Sequence, residues 1–103
     1  MKKVVNGKVY NTETADHVAS WDNGYYGNDF KRCEEDLYRT SKGSWFIVGE
    51  GGPMSKYARP VGNMTSGGDG LAPLTDDEAY QWLEDKGETE LIEKHFPERI
   101  EEA

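Results

Sequence analysis

The side chains of this chain best suited to chemistry fall into a few groups. Cys33 with His17 or His95 would supply a thiol and a base, the pair a thiolate nucleophile needs, but no local signature of a cysteine enzyme surrounds any of the three. Cys33 reads instead as a small, half-buried strand side chain. His95, beside Phe96 on the apolar stripe of a helix, reads as a boundary residue. Glu34-Glu35-Asp36 places Glu34 and Asp36 on one face of a strand and Glu35 on the other, so two carboxylates could divide acid and base roles. Solvated carboxylates explain the same letters in a chain with 20 acidic residues. Two distant histidines and one thiol lack the close ligand spacing that fixes zinc geometry, so neither a metal nor another cofactor is expected. Asn63-Met64-Thr65 matches a glycosylation sequon, which carries weight only in a secreted chain.

The segment Gly49-Glu50-Gly51-Gly52-Pro53-Met54-Ser55-Lys56-Tyr57-Ala58-Arg59 is the best candidate for a small-ligand loop. Close-spaced glycines expose backbone amides, Pro53 suits the first position of a short helical turn, and Lys56 and Arg59 add positive charge. The candidate residues are Gly49, Glu50, Gly51, Gly52, Ser55, Lys56, Tyr57 and Arg59. The segment lacks the Lys-Ser or Lys-Thr ending of a nucleotide P-loop. A glycine-rich bend that lets a loop pack tightly on a sheet accounts for it equally.

Charge supplies the remaining signal. The 103 residues carry 12 basic and 20 acidic side chains, a net of −8. Residues 1–68 hold nine basic and eight acidic groups, whereas residues 69–103 hold three basic and twelve acidic, so the last third carries the whole excess. Such a surface repels phosphate and steers toward a basic partner, which disfavours direct nucleic-acid binding. Asp76, Asp77, Glu84, Asp85, Glu88, Glu90 and Glu93 are the candidate partner-binding residues. A solvated helix face that keeps a small protein soluble is the plainer reading.

The elements that must position these groups are legible in outline. Asn6-Gly7 between Lys3-Val4-Val5 and Lys8-Val9-Tyr10 predicts a hairpin with a type I′ turn that pairs Val4 with Val9. His17 to Trp21 predicts a strand, ended by Asp22-Asn23-Gly24, with Tyr25 to Asn28 extending the loop. Glu35 to Thr40, a turn at Ser41-Lys42-Gly43, and Ser44 to Val48 predict a second hairpin, whose unbroken apolar run Trp45-Phe46-Ile47-Val48 belongs to a central strand. Residues 51–73, rich in glycine and proline, read as a loop that includes one helical turn at 54–58. Thr75 with Glu78 forms a capping box, Ala79, Trp82 and Leu83 define a buried stripe, and Gly87 ends that helix. A second helix from Glu88 presents Leu91, Ile92, His95 and Phe96 before Pro97.

The expectation is one α+β domain: about five antiparallel strands over residues 1–50 (two hairpins plus one strand), the loop, and two acidic helices over 74–103 packed on one sheet face. Trp21, Trp45, Phe46, Ile47, Leu74, Trp82, Leu83, Leu91, Ile92 and Phe96 are the expected core. No stretch of 18 apolar residues and no leader pattern appears, which makes the cytoplasm the expected address.

The order Asn6 to Ala15, Trp21, Asp29-Phe30, Glu35 to Thr40 with Lys42-Gly43, Trp45-Phe46, Gly49 to Ala58, Pro73-Leu74-Thr75, Glu78-Ala79 and Trp82-Leu83 resembles a small protein family of Firmicutes, their phages and gut metagenomes. That family includes a type II-A anti-CRISPR protein, an inhibitor of the RNA-guided Cas nuclease, alongside relatives with no assigned role. The resemblance covers essentially the whole chain and brings no catalytic motif. It implies a non-enzymatic protein that binds a type II CRISPR effector nuclease or its guide-RNA complex inside a bacterial host cell; the sequence leaves the oligomeric state open, with a monomer favoured. The alternatives are a sponge that sequesters a nucleotide-like immune signal on the Gly49 to Arg59 loop, and an accessory binding domain of ordinary bacterial physiology.

Overall fold

The computed structural model describes residues 1–26 and 29–103; the expected loop positions Gly27 and Asn28 lie outside the described residues. The chain starts with strands β1 (Lys2–Val5) and β2 (Lys8–Asn11), joined through Asn6 (φ 51°) and Gly7 (φ 77°). Two successive positive φ angles are the I′ turn that Asn-Gly favours, and the register pairs Val4 with Val9 as expected. Both valines are exposed, while Tyr10, next to Val9 on β2, is buried.

The main sheet has four antiparallel strands in the order β3-β4-β5-β8: β3 (Asp16–Asp22), β4 (Cys33–Arg39), β5 (Trp45–Gly51) and β8 (Gly68–Leu74). A bulge between His17 and Ala19 shifts the register of β3 against β4. Strand β5 is central, and its Trp45, Phe46 and Ile47 are all buried because both faces are covered.

The class is α+β with antiparallel sheets, as expected. Its arrangement differs from the expectation in two respects. The first hairpin forms its own two-stranded sheet and lies on one face of the main one, where Tyr10 packs edge-on against Phe46 at 5.5 Å between ring centres and touches Leu71. The stretch 51–73, expected as a loop, contains three strands: the small hairpin β6 (Arg59–Val61) and β7 (Met64–Ser66), then β8 of the main sheet. Strand β8 reads poorly from its letters because Gly68-Asp69-Gly70 and Pro73 have low strand propensity. An edge position tolerates them, since only one side of the backbone must pair, here with β5 from Gly51↔Gly68 to Trp45↔Leu74. The helical turn expected at 54–58 is absent. Two consecutive turns stand there, with the Ser55 hydroxyl donating to the Gly52 carbonyl at 2.7 Å and accepting from the Tyr57 amide at 3.2 Å.

Helix α1 (Asp76–Asp85) begins with the capping box: Thr75 Oγ1 accepts from the Glu78 amide at 3.1 Å and Glu78 Oε1 from the Thr75 amide at 2.9 Å. Gly87 (φ 71°) follows its end, and α2 (Thr89–His95) runs to a short 3₁₀ turn at Pro97–Arg99. Ala79, Trp82 and Leu83 of α1, with Ile92 and Phe96 at α2, pack on Ala19, Leu37, Trp45 and Ile47 of the sheet. Trp21, Leu74 and Leu91 stand at the margin of this core, half-buried. Among the described residues no helix is long and apolar enough to cross a membrane.

Candidate functional site

Strand alternation sends Cys33, Glu35, Leu37 and Arg39 to the helix-covered face of the sheet. Glu35 is the exceptional one: a carboxylate with 1% exposure. Its neighbours across the ladder are Trp21 on β3 and Gly49 on β5, and Gly49 in turn pairs with Gly70 on β8. Two glycines in one row leave a trough beside the carboxylate. The Tyr57 ring lies in it, so close to Gly49 that a Cβ there would overlap the ring.

Both oxygens of Glu35 are bonded. Oε2 accepts from the Tyr57 hydroxyl at 2.5 Å and pairs with Lys56 Nζ at 2.6 Å, while Oε1 accepts from Trp82 Nε1 at 3.1 Å. Lys86 Nζ stands 4.0 Å from Oε1 and 3.6 Å above the Trp21 ring, a cation–π contact. The junction therefore joins β4, the 52–58 turns and α1. Burial pushes the Glu35 carboxyl up, but the bonds from Lys56, Tyr57 and Trp82 outweigh it and hold the group below the ordinary glutamate range. Burial and the adjacent carboxylate drive the Tyr57 hydroxyl well above the usual tyrosine range. Cys33 is buried and its thiol is raised, first by burial and then by Glu35, so it stays a protonated thiol rather than a nucleophile.

Glu35 is thus a fixed anion with both oxygens occupied, and Glu34, Glu35 and Asp36 do not form the solvated set expected of them. Glu34 and Asp36 do share the opposite face, together with Glu50 and Asp69, around a shallow crevice that reaches Met1. There Arg32 pairs with Glu34 at 3.4 Å and Glu50 at 3.3 Å. On the same face Ser20, His17 and Asp36 come together, but their connectivity is not that of a nucleophile relay. Ser20 Oγ donates straight to Asp36 Oδ1 at 2.6 Å, and the single nitrogen His17 Nε2 meets both partners at 2.9 Å. A relay needs one imidazole nitrogen for the hydroxyl and the other for the carboxylate.

The glycine-rich loop is a packed bend. A Cβ on Gly51 would overlap Ser55, and one on Gly52 would come within 2.7 Å of the Asp29 and Phe30 carbonyls. The Gly52 amide donates to the Arg32 carbonyl at 2.8 Å. Lys56 is neutralised by Glu35, and Arg59 binds the Asp69 carbonyl and carboxylate. Of the candidate loop residues, the structure brings Gly49, Lys56 and Tyr57 to the Glu35 junction, stacks Ser55 over Gly51, and leaves Glu50 exposed beside Arg32 on the opposite sheet face.

The acidic candidates all lie on the helical layer. Asp76, Asp77, Glu84, Asp85, Glu90 and Glu93 are exposed and Glu88 is half-buried. Three have local partners: Asp77 with Arg99 at 2.5 Å, Glu84 with the Tyr80 hydroxyl at 2.9 Å, and Asp85 with Gln81 at 2.9 Å. Asp76, Glu88, Glu90 and Glu93 make no side-chain ion pair or hydrogen bond among the described residues. His95 does not face this surface. Its Nδ1 meets Arg39 Nη1 at 3.3 Å, and since a guanidinium only donates, the imidazole is the neutral tautomer protonated at Nε2. Burial, then Arg39 and Lys94, lowers its pKa.

Comparison with family models, with curated proteins and with solved structures finds no match to this chain. Function rests on this geometry. Among the described residues no group of three or more His, Cys, Asp and Glu side chains is arranged to hold a metal ion. The second acidic patch, Glu34, Asp36, Glu50 and Asp69, was not anticipated. Its only signal is the alternation Glu34-x-Asp36, because the pairing that adds Glu50 and Asp69 is long-range.

Proposed function

We propose that this protein is a non-catalytic inhibitor of a type II-A RNA-guided Cas nuclease. It acts in the cytoplasm of a bacterial host by stoichiometric binding to the nuclease or its guide-RNA complex. The observation that carries the reading is the exposed set Asp76, Glu90 and Glu93, unpaired among the described residues, on a helical layer clamped to the sheet by Trp82, Leu83 and Ile92. Such a nuclease holds nucleic acid in a basic channel, and a rigid array of carboxylates competes for that channel as a phosphate backbone does. Exposed charges chiefly set encounter rate and specificity, so affinity requires apolar contact as well. The crevice between Tyr80, Ile92 and the exposed Ile100, rimmed by Glu84 and Glu93, offers that contact within the acidic surface.

The groups able to do chemistry support a binding role. Glu35 is held as a buried anion with both oxygens bonded, Cys33 as a buried thiol, and the Ser20 hydroxyl donates to a carboxylate. The test is DNA cleavage by a purified type II-A nuclease at rising salt, with Asp76, Glu90 and Glu93 changed together to Lys. The variant is expected to inhibit at least about tenfold more weakly and to lose the salt dependence of the parent. An unchanged dose response from the folded variant rejects the acidic-surface mechanism.

A further inference from the structure

We infer that the crevice between the first hairpin and the β4–β5 turn is a binding site for a small phosphorylated ligand, distinct from the glycine-rich loop and from the acidic helices. Two hairpin turns converge there. Lys8 follows the Asn6-Gly7 turn, and Lys42 stands in the Thr40–Ser44 connection. Neither lysine makes an ion pair or a side-chain hydrogen bond among the described residues, whereas Lys56 and Lys86 are committed to Glu35. Thr40, Ser41 and Ser44 line the same crevice. The Thr40 hydroxyl accepts from the Ser44 amide at 3.1 Å and so keeps its proton free to donate. The buried Tyr10 closes the floor.

Charge singles this crevice out. In a chain of net charge −8, the three other main crevices each carry three or more carboxylates, and this one carries none. Lysines and hydroxyl donors without a competing carboxylate match a phosphate group, whose anionic oxygens are strong acceptors. The crevice, about 550 Å³, falls in the range that holds a small ligand and exceeds what a bare phosphate fills. A phosphate monoester on a small polar body is the chemical class that fits.

The test follows backbone amide resonances of the full-length protein during titration with inorganic phosphate, adenosine monophosphate and adenosine. Saturable shifts at residues 7–11 and 40–44 are expected with the two phosphate-bearing probes and not with adenosine, with the monophosphate the tighter. Lys8→Gln with Lys42→Gln should weaken binding about tenfold or more, and Lys8→Arg with Lys42→Arg should retain it. Both lysines are exposed, so these variants are expected to keep the fold. Absence of saturable shifts with the phosphate probes, equal binding of adenosine, or unchanged affinity in the Gln variant overturns the assignment. No nuclease enters the experiment, so its outcome is independent of the inhibitor reading.

Discussion

Glu34, Glu35 and Asp36 are consecutive acids on one strand with opposite fates. Glu35 faces α1 and is sealed from water with its charge fully matched. Glu34 and Asp36 face the other way, half-exposed, Glu34 beside Arg32 and Asp36 bonded to Ser20 and His17. The difference follows from the strand period of two and from what covers each side. On one side the row Trp21, Glu35, Gly49, Gly70 receives an aromatic ring and an indole. The other is covered by the first hairpin, where Tyr10 packs on Phe46 and Leu71 with Val5 and Ala15 beside them. Equal chemistry at neighbouring positions thus becomes a structural tie in one case and solvated charge in the other.

Breaking the tie gives the largest expected effect. Glu35→Ala strips Lys86, Tyr57 and Trp82 of a buried anion and is expected to cost about 3–5 kcal/mol in urea unfolding. Glu34→Ala, half-exposed and bridged only to Arg32, should stay within about 0.5 kcal/mol. Similar losses in both variants would refute the contrast between the faces.

The trough is probed next. Gly49→Ala forces a methyl into the Tyr57 ring and is expected to destabilise by about 1–3 kcal/mol, whereas Gly70→Ala, its ladder partner with nothing within 4 Å, should be near neutral by the same unfolding measurement.

A smaller effect lies in the pH dependence. Because the folded Glu35 carboxyl titrates below its unfolded value, its contribution is complete above roughly pH 4.3 and disappears as pH falls through the folded value. Because the folded Tyr57 hydroxyl titrates above its unfolded value, its contribution is complete below roughly pH 10 and disappears above it. Thermal melts across both windows should show a loss of stability at each end. Glu35→Gln is expected to flatten the acid limb and Tyr57→Phe the alkaline limb.

Much of the fold was legible locally. Asn6-Gly7, the capping box at Thr75 and Glu78, and the stripe Ala79, Trp82, Leu83 each signal through neighbours a few residues apart, and each stands in the structure as expected. Of the expected core, Trp45, Phe46, Ile47, Trp82, Leu83, Ile92 and Phe96 are buried, and Tyr10, Leu37 and Leu71 join them. Strand β8 was not legible, because its glycines and proline are acceptable only once β5 supplies a partner edge. The Glu35 junction was not legible either. Its members come from residues 35, 49, 56–57, 82 and 86, and no local pattern marks a glutamate for burial when most glutamates are solvated. The candidate loop was picked out for its glycines and its Lys56. What escaped was that the lysine would be spent on a carboxylate.

Residue order by itself determined the turns of the first two hairpins, the helix with its cap and stop, the α+β class and the concentration of acid in the last third, since all of these depend on φ preferences, periodicity and composition over short spans. Only the tertiary structure decided which of three adjacent acids is buried, which lysines are neutralised and which remain free, and where the glycines serve as space for other side chains. Those outcomes depend on atoms brought together by strand register and helix packing, and at 2.5–4 Å a shift of one residue in register would exchange every one of them.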